Sequence, residues 1–320
     1  LYAHVLSLHA FGLEESNLYA QAEETGRRAL SLNPKVPWAV HAVAHVMEMQ
    51  GRYEEGAVWL RQYQAEWAEG NGFSGHLWWH KGLFRLEGLD IEGALRLLDK
   101  RLVRDNLQIT LQRVDAAALL WRLHLLGHDM AARCAGVLRG WDLSDAAAGY
   151  YAFNDAHAVM AMLGAGEVAH AEAWVARCAE RALAADDARR SNHLMAREVG
   201  LPLMRGLLAL ERGEADAAAD ALYAARGVAQ RFGGSHAQRD LIDQTLLAAA
   251  ARGTRRGIGR DMWDEVLDAA PRDDSKIDKF ISSRLSDPDD RDQVRKVSTA
   301  LFRRGYSWED IREALNRFNA

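Results

Sequence analysis

Apolar positions recur with helical spacing along the first 250 or so residues, and the chain shows no sustained alternation of apolar and polar positions that would indicate strands. Alanine, leucine and arginine, which favour helices, dominate over valine and threonine. Turn-forming motifs separate the helical blocks, for example at Gly51-Arg52, Gly88-Leu89-Asp90, Gly127-His128-Asp129, Gly164-Ala165-Gly166 and Arg212-Gly213. The pattern predicts an all-α chain with about six or seven helix pairs up to roughly residue 253.

A repeat period is visible near the start of the chain. Tyr19 and Tyr53 are 34 residues apart, as are Ala22 and Gly56. This is the period of tetratricopeptide repeats, whose helix pairs stack into a right-handed superhelix. The concave side of such an array carries the first helix of every pair, so we expect functional residues there.

The sequence character changes near residue 253. Flexible and turn-forming residues predict a linker over residues 254–274 after an α-solenoid over residues 1–253. Three short helices are then expected within residues 275–320, the last one beginning at a capping-box motif, Ser307-Trp308-Glu309-Asp310. The sequence therefore predicts a solenoid, a linker and a small three-helix module.

Motifs in the solenoid resemble a known family. They are Ala10-Phe11-Gly12-Leu13-Glu14-Glu15-Ser16-Asn17, the segment of residues 38–49, Phe153-Asn154-Asp155-Ala156-His157, the segment of residues 196–203 and the segment of residues 233–240. Together, and in this order, they resemble the tetratricopeptide repeat protein 38 family over residues 1 to about 250. The resemblance implies a helical repeat fold without an established activity. Because that family is normally longer at its N-terminus and this chain begins at Leu1, we expect a fragment of a longer protein.

The C-terminal segment resembles a different family. Residues 297–315, which include Arg303-Arg304-Gly305-Tyr306-Ser307-Trp308, look like a single three-helix repeat of the regulatory protein RecX. Proteins of that family modulate recombinase filaments and usually carry several such repeats, whereas one is visible here. The resemblance implies that any contact with a recombinase or nucleic acid would involve this module alone.

Composition narrows the function classes. The formal net charge is −5 and no long run of one sign occurs, so the chain as a whole lacks the basic charge pattern that is typical of nucleic-acid-binding proteins. The two cysteines, Cys134 and Cys178, have no CxxC spacing, which argues against a disulfide framework or a zinc knuckle and predicts a cytoplasmic protein. No apolar run is long enough for a transmembrane helix, and we expect no membrane association.

The helix near residue 40 carries an unusual polar face. Trp38, His41, His45 and Glu48 share one face, while apolar residues occupy the other. Two histidines four residues apart with a carboxylate form a recognised metal-ligand arrangement, although the glutamate of the HExxH pattern is missing between them. The alternative is a polar ligand groove or hydrogen bonds to a neighbouring repeat, and the sequence assigns no metal and no cofactor.

A second histidine pair follows on the next first helix. His76 and His80 repeat the spacing, with Trp79 between them. If both pairs face inward, four imidazoles and several indoles line one wall of the groove, which suits a ligand with carboxylate, amide or cationic groups. The alternative is a set of core tryptophans with capping histidines.

Polar residues at the start of two later helices complete the candidate ligand-binding set. They are Asn154, Asp155 and His157, and then Arg239 and Asp240. Such residues commonly cap helices, but this group exceeds what capping requires. Curvature of the array could bring them towards the histidine wall and form a shared pocket.

These observations favour a binding scaffold that holds a peptide or small ligand in the concave groove. One alternative is a metal-dependent or small-molecule enzyme that uses the histidine groove, with Asp155 or His157 as acid or base. The other alternative is a recombinase regulator that acts through the C-terminal module. No nucleophile elbow, P-loop or Rossmann glycine motif occurs, so serine hydrolysis and nucleotide binding are unsupported.

Overall fold

A computed structural model describes residues 1–69, 73–103, 107, 109–184, 190–254, 274–288, 290–302, 306 and 308–318. All regular structure in these residues is helical, and no strand occurs among them, so the predicted all-α class is confirmed. The chain divides into two compact units, Leu1–Met262 and Trp263–Ala320. This division lies within the predicted linker, of which residues 255–273 fall outside the described part.

The first half of the large unit consists of consecutive helix pairs. Its helices are α1 (Tyr2–Glu14), α2 (Tyr19–Leu32), α3 (Pro37–Met49), α4 (Tyr53–Gln62), α5 (Gln64–Trp67), α6 (Ser74–Glu87) and α7 (Ile91–Leu97). A π-helical segment, Leu98–Leu102, continues α7. The helices α1 and α2, α3 and α4, and α6 and α7 pack as pairs. Tyr19 and Tyr53 both stand at the first residue of a second helix, so their spacing marks equivalent positions.

The second half continues in the same way. Its helices are α8 (Thr110–Leu125), α9 (Ala131–Leu138), α10 (Ala152–Gly164), α11 (Val168–Ala182), α12 (Ser191–Met195), α13 (Leu201–Glu211), α14 (Ala215–Arg226) and α15 (His236–Arg252). A π-helical segment, Ala196–Gly200, joins α12 to α13, and a 3-10 turn, Ala229–Phe232, precedes α15. The helix-repeat architecture is therefore present, while the right-handed superhelix stays a prediction.

Turns within the helix pairs use left-handed residues where the sequence motifs predicted turns. Gly51, Gly127, Gly166 and Gly213 have φ angles of 65°, 87°, 81° and 78°. Glycine adopts this conformation without a steric penalty because it has no Cβ. In the turn after α6 the left-handed residue is Leu89, with a φ of 57° and a side chain that is 77% exposed.

Close helix contacts in the core depend on small residues. A Cβ atom added to Gly56 would lie 2.3 Å from the ring of Phe84, so α4 reaches α6 only because this position lacks a side chain. The largest fully buried side chains of the large unit include four indoles, those of Trp67, Trp79, Trp121 and Trp174. These residues belong to one continuous hydrophobic core.

Helix α15 connects the end of the large unit to its beginning. It packs against α3, α8, α13 and α14. The indole NH of Trp121 donates a hydrogen bond to Thr245 Oγ1 at 3.0 Å, and the backbone NH of His236 donates to Glu15 Oε1 at 2.8 Å. Among the described residues of this unit, the first and last helices therefore meet, which an open row of helix pairs does not require.

The small unit contains three helices among its described residues, α16 (Asp274–Arg284), α17 (Arg291–Phe302) and α18 (Trp308–Phe318). They enclose a separate core built from Ile277, Ile281, Leu285, Val297, Leu301, Ile311 and Ala314. The three short helices that the sequence indicated are present. Ser307, the predicted capping residue of α18, lies outside the described residues.

Both cysteines are buried free thiols. Burial raises the pKa of Cys134 to about 12, so this thiol stays protonated at neutral pH. Across the described part of the chain, no helix is both long enough and apolar enough for a bilayer crossing.

Candidate functional site

Two neighbouring helices carry the histidine pairs on faces that meet. His41 and His45 lie one turn apart on α3, and His76 and His80 lie one turn apart on α6. Residues four apart share one face of a helix, so each pair points both imidazoles in one direction. All four side chains are buried, with exposed fractions between 0% and 6%. The structure thus brings together two pairs that are 35 residues apart along the sequence.

The imidazoles of His41, His45, His76 and His80 form what we call the four-histidine cluster. One ring nitrogen of each residue lies within 4.8 Å of the corresponding nitrogen of every other. His41 Nε2 and His45 Nε2 are 2.9 Å apart, within hydrogen-bond distance. Ligand nitrogens around one tetrahedral ion are roughly 3.4 Å apart, given metal–nitrogen bonds of about 2.1 Å. The separations in the cluster, 2.9 Å for one pair and within 4.8 Å for all, are thus near the spacing of ligands around one ion.

Carboxylates lie near the Nδ1 atoms, which we call the outer nitrogens, of three of these rings. His76 Nδ1 and Asp115 Oδ2 are 2.9 Å apart, and His80 Nδ1 and Glu48 Oε2 are 2.8 Å apart, both within hydrogen-bond distance. His45 Nδ1 lies 3.6 Å from Glu14 Oε2. When Asp115 and Glu48 are ionised they accept the Nδ1 proton of His76 and His80, which leaves the lone pair of each ring on Nε2, free to bind.

Burial controls the charge of the cluster. It lowers the pKa of His41, His45 and His80 well below the usual range, so these imidazoles are neutral at pH 7. It also raises the pKa of Glu48 well above its usual range and raises that of Glu14. Neutral imidazole is the form that binds a metal ion.

Sequence reasoning missed two members of this site. Glu14 at the end of α1 and Asp115 in the middle of α8 are 0% and 1% exposed, yet neither was predicted as a functional residue. Asp115 stands among apolar residues on the most buried stretch of α8, and Arg122 follows two turns later. A charged residue inside such an apolar helix was the available signal, because charges are rarely buried without a partner.

Arg122 is the buried cation nearest to this region. Its guanidinium donates to the carbonyl of Ala237 on α15 at 2.8 Å and stands 5.8 Å from the Trp79 ring centroid. Asp240 Oδ2 lies 3.9 Å from it. The predicted residue Asp240 therefore contacts Arg122, one layer away from the imidazoles.

Arg239, the residue before Asp240, connects α15 to the end of α1. The guanidinium of Arg239 donates to Glu15 Oε2 at 2.9 Å. Beside it, His236 Nδ1 lies 3.2 Å from Glu14 Oε1, and this carboxyl group raises the pKa of His236. Glu14 thus stands between His236 and the four-histidine cluster.

Aromatic rings cover the cluster on the side of His41. We call Phe11, Trp38 and Phe73 the aromatic cap, because their centroids lie 5.3, 5.2 and 4.8 Å from that of His41. Trp38 and Phe73 are stacked at 4.6 Å, and Trp38 is 38% exposed. The predicted residue Trp79 lies on another side, stacked on His76 at 5.1 Å.

The polar residues of α10 have other partners. Asp155 accepts a hydrogen bond from the backbone NH of Gly149 at 3.3 Å, and His157 donates from Nδ1 to the carbonyl of Phe153 at 2.7 Å. Asn154 and Asp155 line a cavity of about 310 Å³ whose other lining residues are Thr110, Arg113, Trp141, Asp142, Ala147, Tyr150, Tyr151 and Trp174. None of the histidine pairs borders this cavity, so the expected shared pocket stays a prediction.

The small unit matches a known family. Residues 282–315 match the family model of the third three-helix domain of RecX. This agrees with the resemblance seen in the sequence, and it covers helices of the small unit alone. The C-terminal part of the chain is therefore similar to a RecX three-helix domain.

Proposed function

We propose that the large unit binds one divalent transition-metal ion through the Nε2 atoms of His41, His45, His76 and His80. The observation that carries this proposal is the cluster itself, in which four buried imidazoles offer nitrogens within 4.8 Å of one another. Packing alone does not account for four imidazoles at one point, because burying polar groups costs free energy unless each finds a partner. A shared metal ion gives all four a partner.

The surrounding carboxylates support the same conclusion. Metal-binding histidines usually donate their other ring NH to a carboxylate or carbonyl, which fixes the ring and makes it a stronger ligand. Asp115 and Glu48 hold His76 and His80 in this way at 2.9 and 2.8 Å. Glu14 stands in the corresponding place for His45. Two of the four imidazoles therefore have a ligand-orienting carboxylate in hydrogen-bond contact, and a third has a carboxylate nearby.

Charge balance favours a divalent cation. Glu14, Glu48 and Asp115 bring three carboxyl groups to the interior, with side-chain exposures of 0%, 12% and 1%. Neutral imidazoles add no charge, and Arg122 is one buried cation on this side. An ion with two positive charges would let the carboxylates ionise without leaving the interior strongly negative.

The ligand atoms indicate the class of metal. Imidazole nitrogens suit zinc, copper, nickel and iron, whereas magnesium and calcium prefer oxygen ligands. Zn(II) takes four such nitrogens in tetrahedral coordination, so it is the ion we propose among these.

Elemental analysis tests the proposal. Full-length protein is stripped with a chelator, incubated with Zn(II), desalted and analysed for metal per chain. We expect one ion per chain, and its loss in His76→Ala. The matched control is His170→Ala, because His170 is a partly exposed histidine on α11 that pairs with Glu167. Wild-type protein without bound zinc, or equal zinc in the wild type and His76→Ala, would contradict the proposal.

The peptide-scaffold interpretation is not the one that the geometry favours. Its central residues His45 and His80 are 0% exposed, and α15 packs against α3, which carries His45, so a peptide would not reach these side chains. The scaffold role, the tetratricopeptide repeat protein 38 resemblance and the cytoplasmic location stay predictions. A metal-dependent enzyme, the first alternative from the sequence, is compatible with the proposed centre.

A second function for the chain is suggested by the match of residues 282–315. We propose that the small unit contacts a recombinase filament, as its similarity to RecX implies. The test compares the full chain with a chain that ends at Thr254 in a recombinase filament assembly assay on single-stranded DNA. We expect the full chain alone to change the assembly rate. The same rate with both proteins would argue against this role.

A further inference from the structure

The four histidines are not equivalent, and this difference points to how the centre is used. Three of them, His45, His76 and His80, have a carboxylate at the outer nitrogen. The Nδ1 atoms of His41 and His45 are both buried and lack a hydrogen-bond partner among the described residues, but His45 Nδ1 has Glu14 Oε2 at 3.6 Å, whereas His41 has no such carboxylate among these residues. Among the described residues, His41 is therefore the one imidazole of the cluster that has no carboxylate beside its Nδ1 atom.

The position of His41 adds a second difference. Its ring is the one that contacts all three rings of the aromatic cap, while Phe11 also reaches His45 at 5.2 Å and Phe73 also reaches His76 at 5.3 Å. The cap includes a partly exposed residue, since Trp38 is 38% exposed. On their outer sides, His76 and His80 instead meet Asp115 and Glu48. The partly exposed ring of the cap thus stands next to the imidazole that lacks a carboxylate at Nδ1.

We infer that His41 is an exchangeable ligand, and that a water molecule or a small anionic Lewis base takes its place on the metal ion. This inference rests on the proposed metal centre. Structural zinc sites keep four fixed protein ligands, whereas catalytic sites hold three and leave a position open. His45, His76 and His80 form the fixed set. A small base bound at the fourth position lies under the aromatic cap.

The atoms of this exchange balance without any redox step. The bond between the metal ion and His41 Nε2 breaks, and a bond to the incoming base forms. The released imidazole regains its lone pair on Nε2, and the imidazole can turn towards the cap because Nδ1 has no carboxylate partner. No electron or proton has to be supplied.

Cobalt(II) and azide are the probes for the test. The full-length protein is loaded with Co(II), whose visible spectrum reports ligand geometry, and azide is titrated in. We expect the wild-type spectrum to change with azide. In His41→Ala and His41→Gln we expect azide to bind at least tenfold more tightly, because it no longer displaces an imidazole. Gln keeps most of the side-chain volume, so one variant preserves packing under the cap.

Metal affinity separates the two kinds of histidine. We expect the His41 variants to lose about tenfold or less in Co(II) affinity, while His76→Ala loses more than a hundredfold. Equal losses at His41 and His76, or azide affinity unchanged in both His41 variants, would overturn the inference and leave a four-ligand structural site. A wild-type protein that takes up no Co(II) or Zn(II) would instead overturn the proposed metal centre itself.

Discussion

Replacing Asp115 with asparagine tests whether the buried carboxylates serve a metal ion. Asp115 Oδ2 accepts the Nδ1 proton of His76 at 2.9 Å. In Asp115→Asn the side chain keeps its shape, and its amide oxygen can accept the same proton. The carboxylate charge that makes the imidazole a stronger ligand is lost. We expect metal affinity to fall by about 10- to 100-fold, the usual effect of removing a group that orients a ligand.

This loss converts into a measurable change in stability. With zinc at about 1,000 times the wild-type Kd, binding stabilises the folded wild type by about 4.1 kcal/mol, and the 10- to 100-fold weaker variant by about 2.7 to 1.4 kcal/mol. A domain of this size shifts its Tm by about 2 to 4 °C per kcal/mol. Zinc should therefore raise the Tm by about 8 to 16 °C in the wild type and by about 3 to 11 °C in Asp115→Asn.

Calorimetric scans with and without zinc measure both shifts, and a zinc titration gives the affinities directly. Comparing each protein with its own metal-free scan removes any effect of the substitution on packing. Asp145→Asn is the matched control, because it makes the same chemical change at a side chain that is 85% exposed. If zinc raises the Tm of Asp115→Asn as much as that of the wild type, with equal affinities, the carboxylate has no role in metal binding.

Three further predictions concern packing and pH. Gly56→Ala should destabilise the large unit by about 1–3 kcal/mol, because the new Cβ would lie 2.3 Å from the Phe84 ring. Gly12→Ala is the control: its Cβ meets open space, so it should stabilise α1 by up to about 1 kcal/mol. Similar urea midpoints for the two variants would refute this. Burial raises the pKa of Asp155 to about 7, above its unfolded value of about 3.9, so its contribution to stability is full below pH 4 and is lost as the pH rises through 7. Asp155→Asn should therefore gain roughly 2–4 kcal/mol over the wild type between pH 4 and pH 8 in urea titrations, and parallel pH profiles would argue against it. Leu301→Ala should cost the small unit about 2–5 kcal/mol, since Leu301 is fully buried there, and unchanged hydrogen-exchange protection of α16 and α18 would contradict this.

Helix periodicity was sufficient to predict which histidines of the four-histidine cluster share a helix face. The spacing of His41 and His45 fixes their common face on any α-helix, and the same holds for His76 and His80. Turns at glycines such as Gly51 could also be predicted, because the left-handed backbone conformation restricts the residue type. These features depend on local geometry alone, which the sequence determines directly.

The partners of the histidines could not be derived in that way. Glu48 was placed on the face of His41 and His45, but its hydrogen bond goes to His80, 32 residues further along the chain. Asp115 reaches His76 from α8 across 39 residues. Such contacts depend on how helix pairs stack, which a period of 34 residues does not specify.

The same sequence pattern fitted a solvent-filled groove and a buried centre, and the difference lies in what surrounds the histidines. A groove needs polar side chains only on the helix that faces the ligand. A buried centre also needs polar groups on helices that are otherwise apolar, and α8 supplies one in Asp115. Within the described residues, His41 Nδ1, His45 Nδ1 and His80 Nε2 are buried nitrogens without a hydrogen-bond partner. Each such group costs about 1–3 kcal/mol. An ion that takes His80 Nε2 as a ligand removes part of this cost. A histidine in a water-filled groove would not carry the cost, because water would hydrogen-bond to its nitrogens.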